Sequence, residues 1–314
     1  MHGRADSIIF GGCEIIMSTV VITGANGFIG SSLVNAFSDR GYRVCAVVKD
    51  SEQDVSLIEG KAEILYCEMD ALGSIEDKFV GEENVIVYHL AWQGVNGADK
   101  GNIFIQRDNI SMALNCAAFA KRIGASKFLC AGTVAERAVE SFERLEYIPA
   151  GLFYASAKSC TRLMLEAYCK NVGLNFVWMQ FSNIFGPQNK TGNLVSYTLT
   201  QLKNCDKATF GPANQPYDFI YIDDLINAAV LLGIKNTSKS CYFIGSGKPR
   251  LLKDYLIEIG ERCGKRENIL IGERPDDGIK YSYDMFDTAA LVEDVGEYCS
   301  HTFEEAINFT IKNF

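Results

Sequence analysis

Tyr154 and Lys158 stand four residues apart in a segment with a helical pattern, so both side chains project from one face of that helix. A free phenol has a pKa of ~10, and about 4 kcal/mol of preferential stabilisation of the phenolate would bring that pKa to ~7. One ammonium group ~4 Å away supplies a similar free energy at an effective dielectric constant of ~20. The pair can therefore accept a hydroxyl proton as a hydride leaves, or return it as a hydride arrives. The same spacing also occurs between ordinary residues on amphipathic helices.

A glycine-rich turn near the start of the chain predicts a dinucleotide-binding site. Residues 24–30 follow a β-branched run and open a helical pattern. Gly24 permits a tight turn, Gly27 lets the backbone approach a pyrophosphate, and Gly30 lets the helix pack against the strand. The helix N-terminus then presents free N–H groups to the phosphates. The expected cofactor contacts from this turn are Gly24, Asn26, Gly27, Phe28, Ile29 and Gly30.

These residues need a scaffold of parallel strands, and the first half of the chain has the matching pattern. Short β-branched runs alternate with longer helical patterns, which indicates repeated βαβ units. The predicted strands are residues 19–23, 43–48, 62–67, 85–90, 127–131 and 175–180. The predicted helices are residues 28–40, 75–80, 104–123 and 152–172. Six strands in series predict an α/β fold with a doubly wound parallel sheet of the Rossmann type.

The alternation loosens after Gln180, where glycine and proline turns predict a smaller C-terminal substrate-binding domain. Further strands are predicted at residues 218–222 and 241–244, and further helices at residues 223–234 and 251–263. We assign residues 17–180 and 218–240 to the dinucleotide-binding domain, and residues 181–217 and 241–314 to a substrate-binding cap. Residues 1–16 are expected to be an N-terminal extension, since their apolar stretch is interrupted and lacks the pattern of a signal peptide.

Five motifs resemble, in the same order, those of the extended short-chain dehydrogenase/reductase superfamily, in particular its NAD(P)-dependent nucleotide-sugar epimerases, dehydratases and ketoreductases. The motifs are residues 23–30, 89–92, 154–158, 183–187 and 218–224. The resemblance implies an enzyme that acts on a nucleotide-diphosphate sugar. It implies that Tyr154 is the general acid or base, and that Lys158 is its electrostatic partner and holds the nicotinamide ribose.

The resemblance also implies a third catalytic residue, a serine or threonine after the fifth strand, and Thr133 occupies this position. Dehydratases of the family carry an Asp-Glu pair directly after the threonine. This chain has Val134 and Ala135 there, with Glu136 one residue late. Reduction of a 4-keto sugar and epimerisation are therefore the leading reactions, and 4,6-dehydration is an alternative. A non-catalytic redox sensor with the same fold is another alternative.

The end of the second predicted strand bears on the choice of cofactor. An acid there binds the ribose hydroxyls of NAD, whereas a basic residue accommodates the extra phosphate of NADP. Lys49 stands where NADP-using reductases of the superfamily often place arginine, and Asp50 follows it, so NADP is predicted with NAD as the alternative. The other cofactor contacts that the resemblance implies are Glu68, Met69, Leu90, Ala91, Trp92 and Asn109.

The substrate-binding residues that the resemblance implies are Trp92, Thr133, Asn183 and Arg274. An arginine fork suits phosphate oxygens. The chain departs from the family pattern at Arg137, where tyrosine is common, and at Gln180, where arginine is usual. Relatives commonly form homodimers through a four-helix bundle. Leu163, Met164 and Ala167 could serve such an interface or could face the sheet.

The composition limits the classes of partner. A formal net charge of -9 at pH 7 disfavours nucleic acid and anionic membrane surfaces as partners. No segment approaches ~18 uninterrupted apolar residues, so we expect no membrane span. We expect a cytoplasmic location. Eleven cysteines without a CxxC pair predict reduced thiols, and the widely spaced His2, His89 and His301 predict no metal site.

Overall fold

The computed structural model describes residues 9–10, 13–14, 18–144, 149–189, 192–276 and 278–314. Its central feature is a sheet of seven parallel strands. These strands are β1 (Thr19–Thr23), β2 (Arg43–Val48), β3 (Glu63–Tyr66), β4 (Ile86–His89), β5 (Lys127–Thr133), β6 (Phe176–Phe181) and β7 (Cys241–Ile244). Their order across the sheet is β3-β2-β1-β4-β5-β6-β7. The predicted α/β fold of the Rossmann type is confirmed.

Helices cover both faces of this sheet. They are α1 (Phe28–Ser38), α2 (Ile103–Arg122), α3 (Ala150–Val172), α4 (Leu194–Lys203), α5 (Ile222–Ile234), α6 (Leu252–Arg262), α7 (Ala289–Val295) and α8 (Phe303–Asn313). Successive strand residues face opposite sides, so Val20 and Ile22 of β1 pack with α1 and α5, whereas Val21 packs in the core under α2 and α3. The sheet is thus buried on both faces, as a parallel sheet requires.

The helix that carries Tyr154 and Lys158 has clear signals at both ends. Pro149 precedes the first turn of α3, where proline costs no backbone hydrogen bond. Gly173 ends the helix in the left-handed conformation with a φ of 66°. Leu165 and Cys169 pack into the core on one side of α3. The helix is therefore a rigid support for both side chains.

Strand β7 differs from the sequence-based division of the chain, which put residues 241–314 in the cap. Cys241–Ile244 pairs in parallel with β6 and completes the main sheet. A short apolar run does not itself specify which strand it will pair with, so its partner could not be read from the pattern. The smaller part of the fold holds three two-stranded pairs: Asn183–Phe185 with Phe219–Tyr221, Ala208–Phe210 with Ile269–Ile271, and Pro216–Tyr217 with Arg250–Leu251.

Two further segments refine the sequence-based picture. The helix predicted at residues 75–80 is a 3₁₀ helix, Leu72–Phe79; other 3₁₀ helices are Gly97–Gly101, Val134–Arg144, Arg266–Asn268 and Tyr283–Phe286. Within the predicted extension, Ile9–Phe10 and Cys13–Glu14 form a two-residue antiparallel pair, and its other residues lie outside the described chain. None of the helices among the described residues is long and apolar enough to cross a membrane.

Candidate active site

The glycine turn after β1 is packed too tightly to accept larger residues. Gly24 has a φ of 66°, and a Cβ there would lie 2.7 Å from the backbone nitrogen of Ala91. A Cβ on Gly30 would collide with the carbonyl oxygen of Gly24 and lie 2.9 Å from the Cα of Ala25. The turn therefore lies directly against the end of β4, and α1 lies directly against the turn.

The N-terminus of α1 is open to a ligand. Gly27 is the N-cap, and within the described chain no side chain caps the helix and no acid lies in its first turn. The first N–H groups of a helix have no partner inside the helix, so they are available to phosphate oxygens. This terminus borders a cavity of about 620 Å³. Its lining includes the predicted cofactor residues Gly24, Asn26, Gly27, Lys49, Glu68, Met69, Leu90, Ala91 and Trp92. The residues present fit a dinucleotide.

The two charged residues after β2 have different environments. Lys49 is exposed and lines the 620 Å³ cavity. The carboxylate of Asp50 accepts hydrogen bonds from the Glu52 backbone N–H at 3.0 Å and from Gln53 Nε2 at 3.3 Å. The Asp50 carboxylate is therefore engaged within its own turn, while Lys49 lines the cavity.

A second cavity, of about 360 Å³, continues the first. It shares Gly24, Gly27, Leu90 and Trp92 with the 620 Å³ cavity, so the two form one groove along the carboxyl ends of the strands. The second cavity is lined by the remaining residues of the turn and by the proposed chemical groups, namely Phe28, Ile29, Gly30, Thr133, Tyr154, Lys158 and Asn183. The fold thus brings almost all of the predicted site residues together.

Lys158 is held between a carbonyl and an aromatic ring. Its Nζ donates a 2.7 Å hydrogen bond to the carbonyl oxygen of Ala131 and lies 3.5 Å from the ring centroid of Trp92. The same Nζ is 5.9 Å from the ring centroid of Tyr154. Trp92 is itself fixed, because its Nε1 donates to Gln106 Oε1 at 3.0 Å. The ammonium group therefore interacts with the Ala131 carbonyl oxygen and with the face of the Trp92 ring.

The pKa shifts run opposite to the sequence-based expectation for the phenol. Burial raises the pKa of Tyr154, and a hydrogen bond with the Thr133 side chain only partly opposes this effect. Burial also lowers the pKa of Lys158 to about 8. Desolvation disfavours the charged form of both groups. In the protein alone, Tyr154 is therefore a protonated phenol at neutral pH.

His89 and Asn109 are structural supports beneath the groove. Nδ1 of His89 lies 2.9 Å from Thr23 Oγ1, and burial lowers the pKa of this histidine to about 3, so it is neutral. Asn109 is fully buried, accepts from the backbone N–H of Gln93 at 2.8 Å and donates to the Gln93 carbonyl at 2.8 Å. Asn109 thus holds the turn after β4 and lines neither cavity.

Of the two predicted sugar-nucleotide residues outside the chemical centre, one lies in the groove. Asn183 lines the 360 Å³ cavity, donates to the Asp218 carbonyl at 3.1 Å and accepts from the Tyr217 hydroxyl at 2.8 Å. Arg274 lines neither part of the groove and donates to Thr209 Oγ1 at 2.9 Å and to the Tyr197 hydroxyl at 2.7 Å.

Lys100 is a site residue that the sequence reasoning missed. It lines the 360 Å³ cavity, with its Nζ 5.5 Å from the ring centroid of Tyr154. Burial lowers the pKa of Lys100. The buried side chain of Gln106 secures its loop by donating to the Gly94 and Asp99 carbonyls, each at 3.2 Å. A lysine in a glycine-rich loop directly after β4 was the available signal.

The family model described as "NAD dependent epimerase/dehydratase family" matches residues 20–245. CDP-abequose synthase from Salmonella typhimurium is 26% identical over 245 residues, which cover 76% of this chain and 78% of that protein. The dTDP-6-deoxy-L-talose 4-dehydrogenase (NAD(+)) of Aggregatibacter actinomycetemcomitans is 26% identical over 246 residues, which cover 76% of this chain and 88% of that protein.

Solved structures agree with the fold. UDP-glucose 4-epimerase from Thermotoga maritima, solved with UDP-glucose, matches with a TM-score of 0.77 at 20% identity and covers 94% of this chain and 98% of that one. The dTDP-glucose 4,6-dehydratase of Bacillus anthracis, solved with NAD, matches with a TM-score of 0.77 at 17% identity, over 94% of this chain and 96% of that one. Because the family model spans well over half of the sequence, the chain belongs to the NAD-dependent epimerase/dehydratase family.

Proposed function

We propose that the chain is an NADP-dependent reductase of a 4-keto nucleotide-diphosphate sugar. The observation that carries this proposal is the meeting of Thr133, Tyr154 and Lys158 at the wall of the 360 Å³ cavity that continues the 620 Å³ cavity, where Tyr154 is a protonated phenol. A ketone that gains a hydride needs a proton at its oxygen, and a protonated phenol can supply it. The name dTDP-6-deoxy-L-talose 4-dehydrogenase describes redox chemistry at C4 of a nucleotide sugar in one relative, which supports the same class of reaction here.

The dinucleotide, Thr133, Tyr154 and the nearby lysines have distinct roles in this proposal. The bound dinucleotide would supply the hydride. Thr133 orients the carbonyl oxygen, and Tyr154 donates its proton to that oxygen. Two ammonium groups lie near the resulting phenolate, since Lys100 Nζ and Lys158 Nζ are 5.5 Å and 5.9 Å from the tyrosine ring centroid. Their positive charges stabilise the phenolate until it is reprotonated.

The alternative reactions make different demands on these residues. An epimerase would use the same Thr133, Tyr154 and Lys158, but it would keep its NAD through each turnover. A 4,6-dehydratase would need a free acid beside Thr133. The carboxylate of Glu136 is instead engaged by the Thr133 backbone N–H at 2.7 Å and by Trp178 Nε1 at 3.0 Å, which disfavours dehydration.

The function is tested by incubating the purified protein with 4-keto and 4-hydroxy nucleotide sugars and following the absorbance of the reduced nicotinamide. Net oxidation of NADPH with a 4-keto sugar is the expected result. Conversion of a 4-hydroxy sugar without net cofactor oxidation, by protein that retains NAD, would establish an epimerase instead. Formation of a 4-keto-6-deoxy product would establish a dehydratase.

Replacement of Lys49 by glutamate tests the choice of cofactor. We expect Lys49→Glu to weaken NADPH binding by about tenfold or more, because one favourable charge contact of about 1.4 kcal/mol becomes repulsive. Binding of NADH, which lacks the extra phosphate, should change much less. Fluorescence titration with both cofactors measures the effect, and Lys170→Glu on exposed α3 surface is the charge-matched control. Equal losses for NADPH and NADH would contradict an NADP phosphate site at Lys49.

We also propose that the protein is a homodimer that pairs α2 and α3 of the two copies. Leu163 and Met164 on α3 are 58% and 44% exposed, and Ile103 and Phe104 at the start of α2 are 54% and 61% exposed. Leu165, in contrast, is buried and packs into the core. The exposed residues therefore do not serve the core of one chain, and an apolar helix surface of this kind is typical of protein contacts.

Light scattering at micromolar concentration should give twice the mass of the 34.7 kDa chain. Leu163→Asp should convert the particle to monomers, because a desolvated carboxylate would lie in an apolar interface. Val80→Asp, at a residue that is 81% exposed and lies on neither α2 nor α3, should remain dimeric. A wild-type protein that stays monomeric at this concentration would refute the dimer.

A further inference from the structure

Glu136 is a buried carboxylate that faces only hydrogen-bond donors and cations among the described residues. It is 5% exposed. Its oxygens accept from the Thr133 backbone N–H at 2.7 Å, Trp178 Nε1 at 3.0 Å and Gln180 Nε2 at 3.3 Å. Arg162 Nε lies 3.6 Å from the same carboxylate. Burial raises the pKa of Glu136, whereas the hydrogen bonds from Thr133, Trp178 and Gln180 and the charge of Lys158 oppose this effect and favour the ionised form.

The two departures from the family pattern belong to this same network. Nε of Arg137 donates to Gln180 Oε1 at 2.9 Å, which turns the amide of Gln180 so that its Nε2 donates to Glu136. Arg137 also donates to the Met285 carbonyl at 2.6 Å, which fixes the guanidinium group. A Cβ on Gly132 would lie 2.7 Å from Glu136 Oε1, so the carboxylate fits only beside a glycine. The surrounding donors and the space beside Gly132 thus fix the position of the Glu136 carboxylate.

The Glu136 carboxylate also interacts electrostatically with the residues of the chemical centre. Lys158 and Arg162 face Glu136 from α3, Arg137 follows it in the chain, and Tyr154 lies within range of its negative charge. Among the residues whose side chains are described, the thiols of Cys130 on β5 and Cys241 on β7 are the other titratable groups near it. The charge of Glu136 favours the protonated forms of both Lys158 and Tyr154. Glu136 does not line the 360 Å³ cavity, so it would act through these neighbours.

We propose that Glu136 is a positioning residue with two effects: its oxygens fix Thr133 at the end of β5, and its negative charge attracts the ammonium group of Lys158 behind Tyr154. This inference rests on the proposed reductase, because it assigns Glu136 a part in that proton transfer. A dehydratase acid would need to reach substrate, whereas this carboxylate is turned into the protein. Glu136 follows Thr133 closely in the chain, so it can both hold Thr133 in place and act on Lys158 through its charge.

Two variants of Glu136 separate the two effects. Glu136→Gln keeps the length of the side chain and removes the charge, whereas Glu136→Asp keeps the charge and shortens the reach to Thr133. Lysines labelled with ¹³C at Cε can be titrated by NMR in the protein without cofactor, and the Lys158 signal is assigned by its loss in Lys158→Arg. We expect Glu136→Gln to lower the pKa of Lys158 by about one unit, and Glu136→Asp to leave it near its wild-type value. Both variants should lower kcat at least about tenfold and change KM for NADPH less than about threefold.

Glu166→Gln is the matched control. Glu166 is also near Arg162, at 3.5 Å, but it binds Ser240 Oγ and touches none of the catalytic residues, so its loss should change neither the Lys158 titration nor kcat. An unchanged Lys158 titration and an unchanged kcat in Glu136→Gln would overturn the inference. Circular dichroism checks folding, and if Glu136→Gln does not fold, a full kcat in Glu136→Asp would still overturn the positioning of Thr133. A wild-type protein that reduces no keto sugar would refute the proposed function, while the Lys158 titration would still test the charge.

Discussion

Tyr154→Phe is expected to lower kcat for reduction of the keto sugar by about 10²–10⁴-fold, the contribution typical of a positioned general acid. The phenylalanine ring retains the packing, including the edge-to-face contact with Trp92 at a centroid distance of 6.2 Å, but it has no proton to donate. Lys158 remains bonded to Ala131, so the Kd for NADPH should change little. Single-turnover kinetics and a cofactor titration measure the two quantities separately.

Tyr283→Phe is the control for loss of a phenol elsewhere, because Tyr283 is 53% exposed and lies outside the groove. Its kinetic constants should match those of the wild type. Unchanged activity in Tyr154→Phe would also be informative. If Tyr154→Phe left every activity and cellular effect unchanged while NADPH still bound, the groove would serve as a redox sensor, and the reductase would be abandoned.

Gly30→Ala is expected to abolish measurable cofactor binding and to lower the free energy of unfolding by about 1–3 kcal/mol, which is typical of overpacking. The new Cβ would collide with the carbonyl oxygen of Gly24, a backbone atom of the turn. To make room, either α1 must move away from β1 or the turn must change shape. In either case the N–H groups at the start of α1 would leave the position that suits phosphates. Fluorescence titration and chemical denaturation measure the two effects.

Gly73→Ala provides the matched control in the 3₁₀ helix Leu72–Phe79. A Cβ at Gly73 would meet nothing closer than a Glu76 carboxylate oxygen at 3.7 Å, so we expect normal cofactor binding and near-normal stability. Retention of NADPH binding by Gly30→Ala would show that the turn tolerates an extra methyl group. The dinucleotide would then have to bind elsewhere.

The scaffold could be predicted from the sequence because local patterns and general rules agree on it. The β-branched runs at β1 and β4 are each followed by a turn and a helical segment, and right-handed crossovers leave few ways to arrange them. The glycine turn adds a positional constraint between β1 and α1. The pairing of β7 with β6 could not be predicted in this way, because turns, short strands and two helices separate the two strands in the chain.

Membership of the site was easier to predict than its electrostatics. The spacing of Tyr154 and Lys158 put both on one helix face, and both line the 360 Å³ cavity, but the spacing carried no information on how deeply they are buried. Burial dominates the pKa of each group, and burial depends on Trp92 and the loop with Lys100, which come from another part of the chain. Arg274 illustrates the same limit, because it bonds Thr209 and Tyr197 outside the groove, and sequence spacing does not reveal these partners.

The two tryptophans of the chain are both built into the catalytic neighbourhood. Trp92 lies beneath the Lys158 ammonium and lines the groove, whereas Trp178 is fully buried with its indole N–H on Glu136. Indole emission responds to nearby charge and to energy transfer into a reduced nicotinamide. The protein therefore carries an unlabelled optical reporter whose entire signal originates beside the reacting groups. In Trp92→Phe, only the buried Trp178 would still emit as an indole. The charge on Glu136 could then be followed in this variant and the arrival of a dinucleotide in the wild type, as two separate signals.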